Sequence, residues 1–524
     1  MVVVRLWLLT VYAMTLLSAC VLEADPPQVA VATASVPISA AAPIVLSGAM
    51  ARLTASDYAL LTAEQKYEVA NRLLSTLYKG VPVREFFDLR ASTKFAASTK
   101  PASYLDDIQT QLFRPDPNYS ATISAANNRY FKNSDGSSRV NQVEEPLTYM
   151  HELVLSREYF DFWMAYQLMN TILFSPAMEL DSVDRTDAGN LFSRLVESSR
   201  QNKSIRATVF EHTVSQENWR RFRSPEDNVR EMMEVFLIRF RDDEVPKSAQ
   251  ACKNWYLTDD TEGYRLIKTV DVNRDSLSLL DTAGIVTCED FYWTLVNHAQ
   301  LLPAVVTRLV AHLFPNHDAT AKAAIVDAII ATRPSTFRDI FTVVLFSKEF
   351  LLHNSRVKRL EEVILGTGAR VDWQPHWRFF DYLTRNDRAA GEDRRTLVQM
   401  KQGSMLYKLG RDPAVPTDTL SLTYIQGTAR YSLFRSVVAE ATNTSMGWRT
   451  SLIDDPAVVA LSEADFVDYI FLSALARRPT AREREVLVPF LNDASRANSR
   501  LAKANLLFDY ATRLPEFYYV DKSG

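Results

Sequence analysis

Thr62-Ala63-Glu64-Gln65-Lys66-Tyr67-Glu68-Val69-Ala70-Asn71-Arg72-Leu73-Leu74-Ser75-Thr76-Leu77 decides the fold class. Thr62 and Gln65 stand at the two ends of a capping box, in which each side chain can satisfy an amide of the other's backbone. Tyr67, Ala70, Leu73, Leu74 and Leu77 then recur on one helical face, and Gly80 and Pro82 stop the run. The stretch predicts a helix with one committed apolar side.

Outward from it, the same grammar repeats. Glu158 to Tyr166 (Glu-Tyr-Phe-Asp-Phe-Trp-Met-Ala-Tyr) is aromatic nearly all round, which predicts a helix buried on most of its surface and an aromatic stripe used as core. Caps recur at Ser224-Pro225-Glu226-Asp227, Thr287-Cys288-Glu289-Asp290 and Ser462-Glu463-Ala464-Asp465, each before apolar residues at helical spacing. No comparable strand signals stand out. The chain has 14 Gly in 524 residues, well below the usual ~7%, which disfavours folds that spend Gly on strand turns and phosphate loops. The expected fold class is all-α, a multi-helix array of two or three packed subdomains: 57–200, 201–370 and 371–524. Stretches near Pro115 to Gly136 and Gly366 to Pro375 read as loops or boundaries, and helical periodicity weakens between Ala389 and Thr444.

A short pattern occurs three times: Leu155-Ser156-Arg157-Glu158-Tyr159-Phe160, Phe346-Ser347-Lys348-Glu349-Phe350-Leu351 and Leu514-Pro515-Glu516-Phe517-Tyr518. In each, Ser or Pro breaks one helix and the acidic-aromatic pair opens the next contact. The spacings are too long and unequal for a solenoid, and point to related helical subdomains joined in one chain.

The first 19 residues have the form of a signal peptide: Arg5, an apolar run from Leu6 to Leu17, then Ser18-Ala19. Leu17-Ser18-Ala19-Cys20 resembles the bacterial lipobox, which makes Cys20 the expected acylated first residue of the mature chain; the alternative is a plain secretory signal with an incidental Cys. Val21 and Leu22 follow with no Asp beside Cys20, so the resemblance to Gram-negative lipoproteins implies the outer membrane. Residues 20–56, rich in Ala, Pro and Val, read as a flexible tether spanning roughly 30 Å as a coil and up to ~100 Å extended. Cys252 and Cys288 remain. In an exported chain two leftover thiols favour a disulfide, and two buried unpaired thiols stand as the alternative.

A net charge of -4 with no long basic run argues against nucleic acid as a partner. The seven histidines are His151, His212, His298, His312, His317, His353 and His376. His312 and His317 are five apart, which matches no zinc spacing and reads as surface or capping. No metal or cofactor is expected, and the chain lacks the His-Glu-x-x-His, Cys-x-x-Cys-His and Gly-x-Ser-x-Gly patterns.

The informative block runs from Asn228 to Phe236. Val229, Met232, Met233, Phe236 and Phe240 share one helical face, Arg230 and Glu234 form an i,i+4 pair, and Glu231 points further from the apolar side. Two carboxylates and an Arg can hold a cation or polar substrate, or tie the helix to its neighbours; without a converging His or third carboxylate the structural tie is preferred.

Here the chain resembles bacterial proteins with the domain of unknown function 1800. Their pattern like Asn-x-Ala-Arg-Glu-Leu-Met-Glu-Leu-Phe is matched by Asn228 to Phe236, carrying Asn228, Arg230, Glu231 and Glu234. Their acidic stretch entering a helix that ends in Gly-Trp is matched by Asp242 to Val245 and Ala249 to Trp255, with Asn254 in place of Gly. The resemblance spans roughly residues 145 to 365. The Gly-rich, His-containing stretch often found after the Trp is replaced by Thr258-Asp259-Asp260-Thr261-Glu262-Gly263-Tyr264. Asp468 to Thr480 with Leu514 to Phe517 looks like a C-terminal segment of related helical domains in planctomycete surface proteins. These families are exported and uncharacterised, so the resemblance implies fold and location more than activity. The expected function is binding or scaffolding within an exported complex, through an exported protein partner and a lipid anchor. The alternative is an enzyme of unfamiliar type acting through Arg230, Glu231 and Glu234.

Overall fold

A computed structural model describes residues 50–132, 145–173, 185–374 and 455–520, except 223, 239–240, 261–262, 360 and 494–498, and also 136, 449, 450 and 453. Cys20, the signal segment, nearly all of the tether and the stretch of weak periodicity between 389 and 444 lie outside the described residues. What is described belongs to Ala41–Gly524, one compact unit, and is mainly helical.

Helix α1 (Ala63–Thr76) begins as its sequence demands, with Thr62 accepting from the Gln65 amide and Gln65 accepting from the Thr62 amide. Tyr67, Ala70, Leu73 and Leu77 are fully buried, and so are the polar Asn71, Arg72 and Thr76 on its other side. A helix enclosed on all sides must find partners for those polar groups, and α1 finds them far along the chain. Arg72 donates to the Leu351 carbonyl at 2.8 Å, and Trp163 donates its indole N–H to the Thr76 carbonyl at 2.8 Å.

Along the chain from α1 follow α2 (Glu145–Glu152), α3 (Arg157–Met169), α4 (Ile205–Thr213), α5 (Gln216–Arg221), α6 (Pro225–Leu237) and α7 (Glu244–Ala251). They are followed by α8 (Cys288–Asn297), α9 (Leu301–Leu313), α10 (Phe337–Leu345) and α11 (Glu463–Leu475). Residues Tyr159 to Met169 of α3 are all buried, as the aromatic run predicts. Ser224, Thr287 and Ser462 each accept a hydrogen bond from the amide three residues on, so the three expected caps are present; a cap of this kind is worth ~1 kcal/mol. In the recurring pattern, Ser156 accepts from Tyr159 and Ser347 from Phe350 in the same way, while Pro515 takes the first turn of its helix.

Helix C-termini leave carbonyls without intrahelical partners, and here half-buried or buried cations from distant segments meet them. Lys79 donates to the carbonyls of Met150, His151 and Leu153 at the end of α2. Arg308 of α9 donates to Glu234 and Val235 at the end of α6, and Arg370 to Ser473 and Ala474 at the end of α11. A positive charge at that pole of the helix dipole is favourable as well as bonded.

Three sequence expectations are corrected. Among the described residues strands are present, as four antiparallel pairs: β1 (Trp255–Asp260) with β2 (Gly263–Lys268), β3 (Leu277–Leu279) with β4 (Thr282–Ile285), β5 (Arg356–Val357) with β8 (Tyr519–Val520), and β6 (Trp373–Gln374) with β7 (Arg449–Thr450). The β1–β2 hairpin went unread because Thr258-Asp259-Asp260 interrupts any apolar alternation; its fold is set by Trp255, Leu257 and Leu266 packing on the helices below. The stretch near Pro115 to Gly136 holds a helix, Tyr119–Ala126. Gly366 to Pro375 is helical over Thr367–Arg370, since Gly366 allows a close approach to α1: a Cβ there would lie 3.1 Å from the Ser75 Cα and 2.9 Å from its Oγ.

Both ends of the described body dock on one segment. Arg52 bridges to Ser347, and the Lys348 amide bonds the Ala51 carbonyl at 2.7 Å. A few residues later Arg356 pairs with Val520, and the Lys358 amide bonds the Tyr518 carbonyl.

Candidate functional site

Helix α6 carries the motif residues, packed against α5, α7, α8 and α9. That enclosure overturns the expected orientation of Glu231: it is buried, because the stripe Asn228, Glu231 and Val235 faces neighbours as much as the Met232, Met233 and Phe236 face does. The expected Arg230–Glu234 pair is also absent. Arg230 is exposed, while the Glu234 charge acts on Arg308, whose guanidinium donates to the Glu234 carbonyl near the end of α6. The three charged residues therefore diverge. Phe240 lies outside the described residues.

Asn228 sits on the inner side, where its Oδ1 accepts from the Tyr292 hydroxyl at 2.5 Å. Tyr292 leads to Trp255, whose ring contacts both Tyr292 and Trp219, with centroids 6.2 and 5.3 Å away. Lys268, directly across the hairpin from Trp255, places its ammonium 3.5 Å from the ring centroid and pairs with Glu289 of α8 at 3.3 Å. Cys252 and Cys288 are joined by a disulfide between the end of α7 and the first residue of α8, both fully buried. Of the two readings left open for these thiols, the structure has the bridge. Asn228 and Trp255 are thus parts of one bridged aromatic knot that holds the hairpin to the helices.

The chemistry-bearing groups that do converge lie elsewhere, beside the C-terminal end of α1. Tyr166 donates to Glu361 Oε1 at 2.6 Å. Gln167 donates to the Tyr78 hydroxyl at 2.8 Å and accepts from Arg359, which also donates to His312 Nε2. Arg356 and Glu362 form a buried ion pair at 2.8 Å, and Arg356 also reaches Thr76. Burial, helped by the Glu362 charge and opposed by Arg359, pushes the Glu361 carboxyl up to about 7. Burial together with the Arg359 and Arg356 charges holds the His312 imidazole well below its usual range, so it is neutral and accepts the guanidinium N–H. His317 is half-buried, with Nε2 2.7 Å from Glu349 Oε1. The surface or capping reading of both histidines is corrected: each faces a charged partner on the segment that follows Ser347.

This cluster was missed in sequence because its members run from Tyr78 to Glu362 and only tertiary folding unites them. Arg356, Lys358, Arg359, Glu361 and Glu362, five charges in seven residues after an apolar helix, were the available signal. Its groups are paired with one another in the interior, an arrangement suited to locking helices and to storing a proton. Among the described residues no group of three or more metal-ligating side chains converges, and no helix is long and apolar enough to cross a membrane. No protein family matches the chain, and neither does any curated protein or solved structure.

Proposed function

We propose that the protein is an exported, lipid-anchored helical component that binds a partner in a periplasmic or cell-surface complex at the outer membrane. The observation that carries this reading is the buried Cys252–Cys288 bridge, since such bonds form and persist in oxidising compartments. The Leu17-Ser18-Ala19-Cys20 motif supplies the anchor, and acylation at Cys20 on more than one chain gives stable attachment. The resemblance of Asn228 to Phe236 and of the segments after it to the domain of unknown function 1800 supports the same exported setting and an array of related helical subdomains. Binding is favoured over catalysis because Arg230, Glu231 and Glu234 point to three different surroundings.

Fractionation of cells carrying wild type or Cys20→Ser tests the anchor: the variant leaves the membrane fraction and takes up no labelled palmitate. Retention with continued labelling ends the lipoprotein reading. Glu231→Gln and Glu234→Gln, expressed at wild-type abundance, leave the cellular phenotype intact if the protein acts by binding. Loss of the phenotype in folded variants with partner association preserved selects the enzyme.

A further inference from the structure

Where α5, α6 and α8 meet, two asparagine side chains lie in the interior with only part of their bonding capacity used. Asn218 of α5 is 1% exposed, and Asn228 of α6 is fully buried. Asn228 Oδ1 accepts from the Tyr292 hydroxyl at 2.5 Å and faces Asn218 Nδ2 at 3.5 Å. Asn218 Nδ2 also donates to the carbonyl of Thr213, the last residue of α4, at 3.2 Å. These contacts fix which way each amide points. Turning Asn218 over would set its oxygen against the Thr213 carbonyl oxygen, and turning Asn228 over would set its N–H groups against those of Asn218. The other ends are left over: among the described residues, Asn218 Oδ1 and Asn228 Nδ2 have no hydrogen-bond partner.

We propose that one internal water molecule is bound here, donating to Asn218 Oδ1 and accepting from Asn228 Nδ2. Buried polar groups are rarely left unpaired, and a buried water typically makes roughly two to four hydrogen bonds to such groups. The two groups also select their ligand. An amide N–H repels a cation and a carboxamide oxygen repels an anion, so the occupant is neutral and both gives and accepts a hydrogen bond. Because the two carboxamides already meet, their free ends belong to one small region of the interior. Met232, whose sulfur lies 3.5 Å from Asn218 Nδ2, and Tyr292 are fully buried as well, so bulk solvent does not serve the pair. Bridged in this way, α5 is tied to α6 by a link that neither side chain makes alone. Asn228, the first residue of the motif block, then holds Tyr292 of α8 directly and Asn218 of α5 both directly and through water.

The test uses the full mature chain carrying Cys20→Ser. Magnetic relaxation dispersion of the water oxygen nucleus counts molecules held inside a protein far longer than surface water. Asn218→Leu removes the acceptor at nearly constant side-chain size and is expected to lose one such molecule. Asn297→Leu, at an exposed asparagine on α8, is expected to lose none. A crystal structure of the same chain gives a readout independent of any variant: water density is expected within hydrogen-bond distance of both Asn218 Oδ1 and Asn228 Nδ2. A folded Asn218→Leu variant with an unchanged count of internal waters would overturn the proposal. So would a crystal structure with no density at the site, with density reaching only one of the two atoms, or with the two amides turned onto protein partners. If Asn218→Leu does not fold, the crystal structure decides by itself.

Discussion

Tyr166 donates its hydroxyl hydrogen to Glu361 across 195 residues of chain, at 2.6 Å. Burial holds the Glu361 proton up to about pH 7 in the folded body, against ~4.3 in an unfolded chain. Between those values the folded state binds the extra proton, so stability falls as pH rises through the window and levels off above it. Glu361→Gln stays neutral and still accepts from Tyr166, so it removes this slope, up to ~3 kcal/mol between pH 4.5 and 8. Urea unfolding of both proteins at pH 5, 6, 7 and 8 checks it; parallel profiles would refute the assignment of a stored proton to Glu361.

Arg370 joins α1 to α11, bonding Ser75 at 3.2 Å and the Ser473 and Ala474 carbonyls at 2.8 Å each. Arg370→Met strands those carbonyls in the interior and is expected to cost ~3 to 5 kcal/mol, as for other broken buried charge contacts. Arg370→Lys keeps the charge without the planar fork and should lose a smaller part. Thermal unfolding ranks the three proteins, and a lysine variant as unstable as the methionine variant would contradict the geometric argument.

Gly80 and Gly366 bring their segments into contact: a Cβ at Gly80 would meet the Gly366 carbonyl at 2.7 Å, and one at Gly366 the Ser75 backbone at 3.1 Å. The obstacle at Gly80 is main chain, and at Gly366 it is the Ser75 Oγ at 2.9 Å with the Cβ and Cα close behind. Gly366→Ala and Gly80→Ala should each destabilise by ~1 to 3 kcal/mol through overpacking, seen as a lower urea midpoint. An unchanged midpoint would mean that the two segments can separate at no cost.

The Cys252–Cys288 bridge closes a separation of 36 residues, for which loop-closure entropy gives ~3 to 4 kcal/mol. Native protein should resist alkylation at both thiols until a reductant is added, and the Cys252→Ala/Cys288→Ala variant should unfold at lower urea. Rapid labelling of native, unreduced protein would exclude the bridge.

What the sequence disclosed was local. Thr62, Ser224, Thr287 and Ser462 cap helices within three residues of themselves, so their neighbours suffice to read them. Glu231 was misread because a helical wheel has one inside, whereas α6 is enclosed by four neighbours. Lys79, Arg308 and Arg370 look like surface cations until the helix ends they cap are brought in from as far as a hundred residues away. The hairpin was hidden by its acids, and the cluster around Glu361 by the distance between Tyr78, Tyr166, His312 and Arg359.

The docking of Ala51 and Val520 onto the segment between Phe346 and Lys358 bears on the order in which the molecule can be completed. Synthesised N-terminus first, the polypeptide carries Ala51 and Leu53 for hundreds of residues before Lys348 and Phe346, to which they bond, arrive. The strand that seals the other flank, Tyr519–Val520, comes later still. Closure of this segment therefore waits for both flanks, and until Tyr519 and Val520 are made Arg356 and Val357 have no strand to pair with.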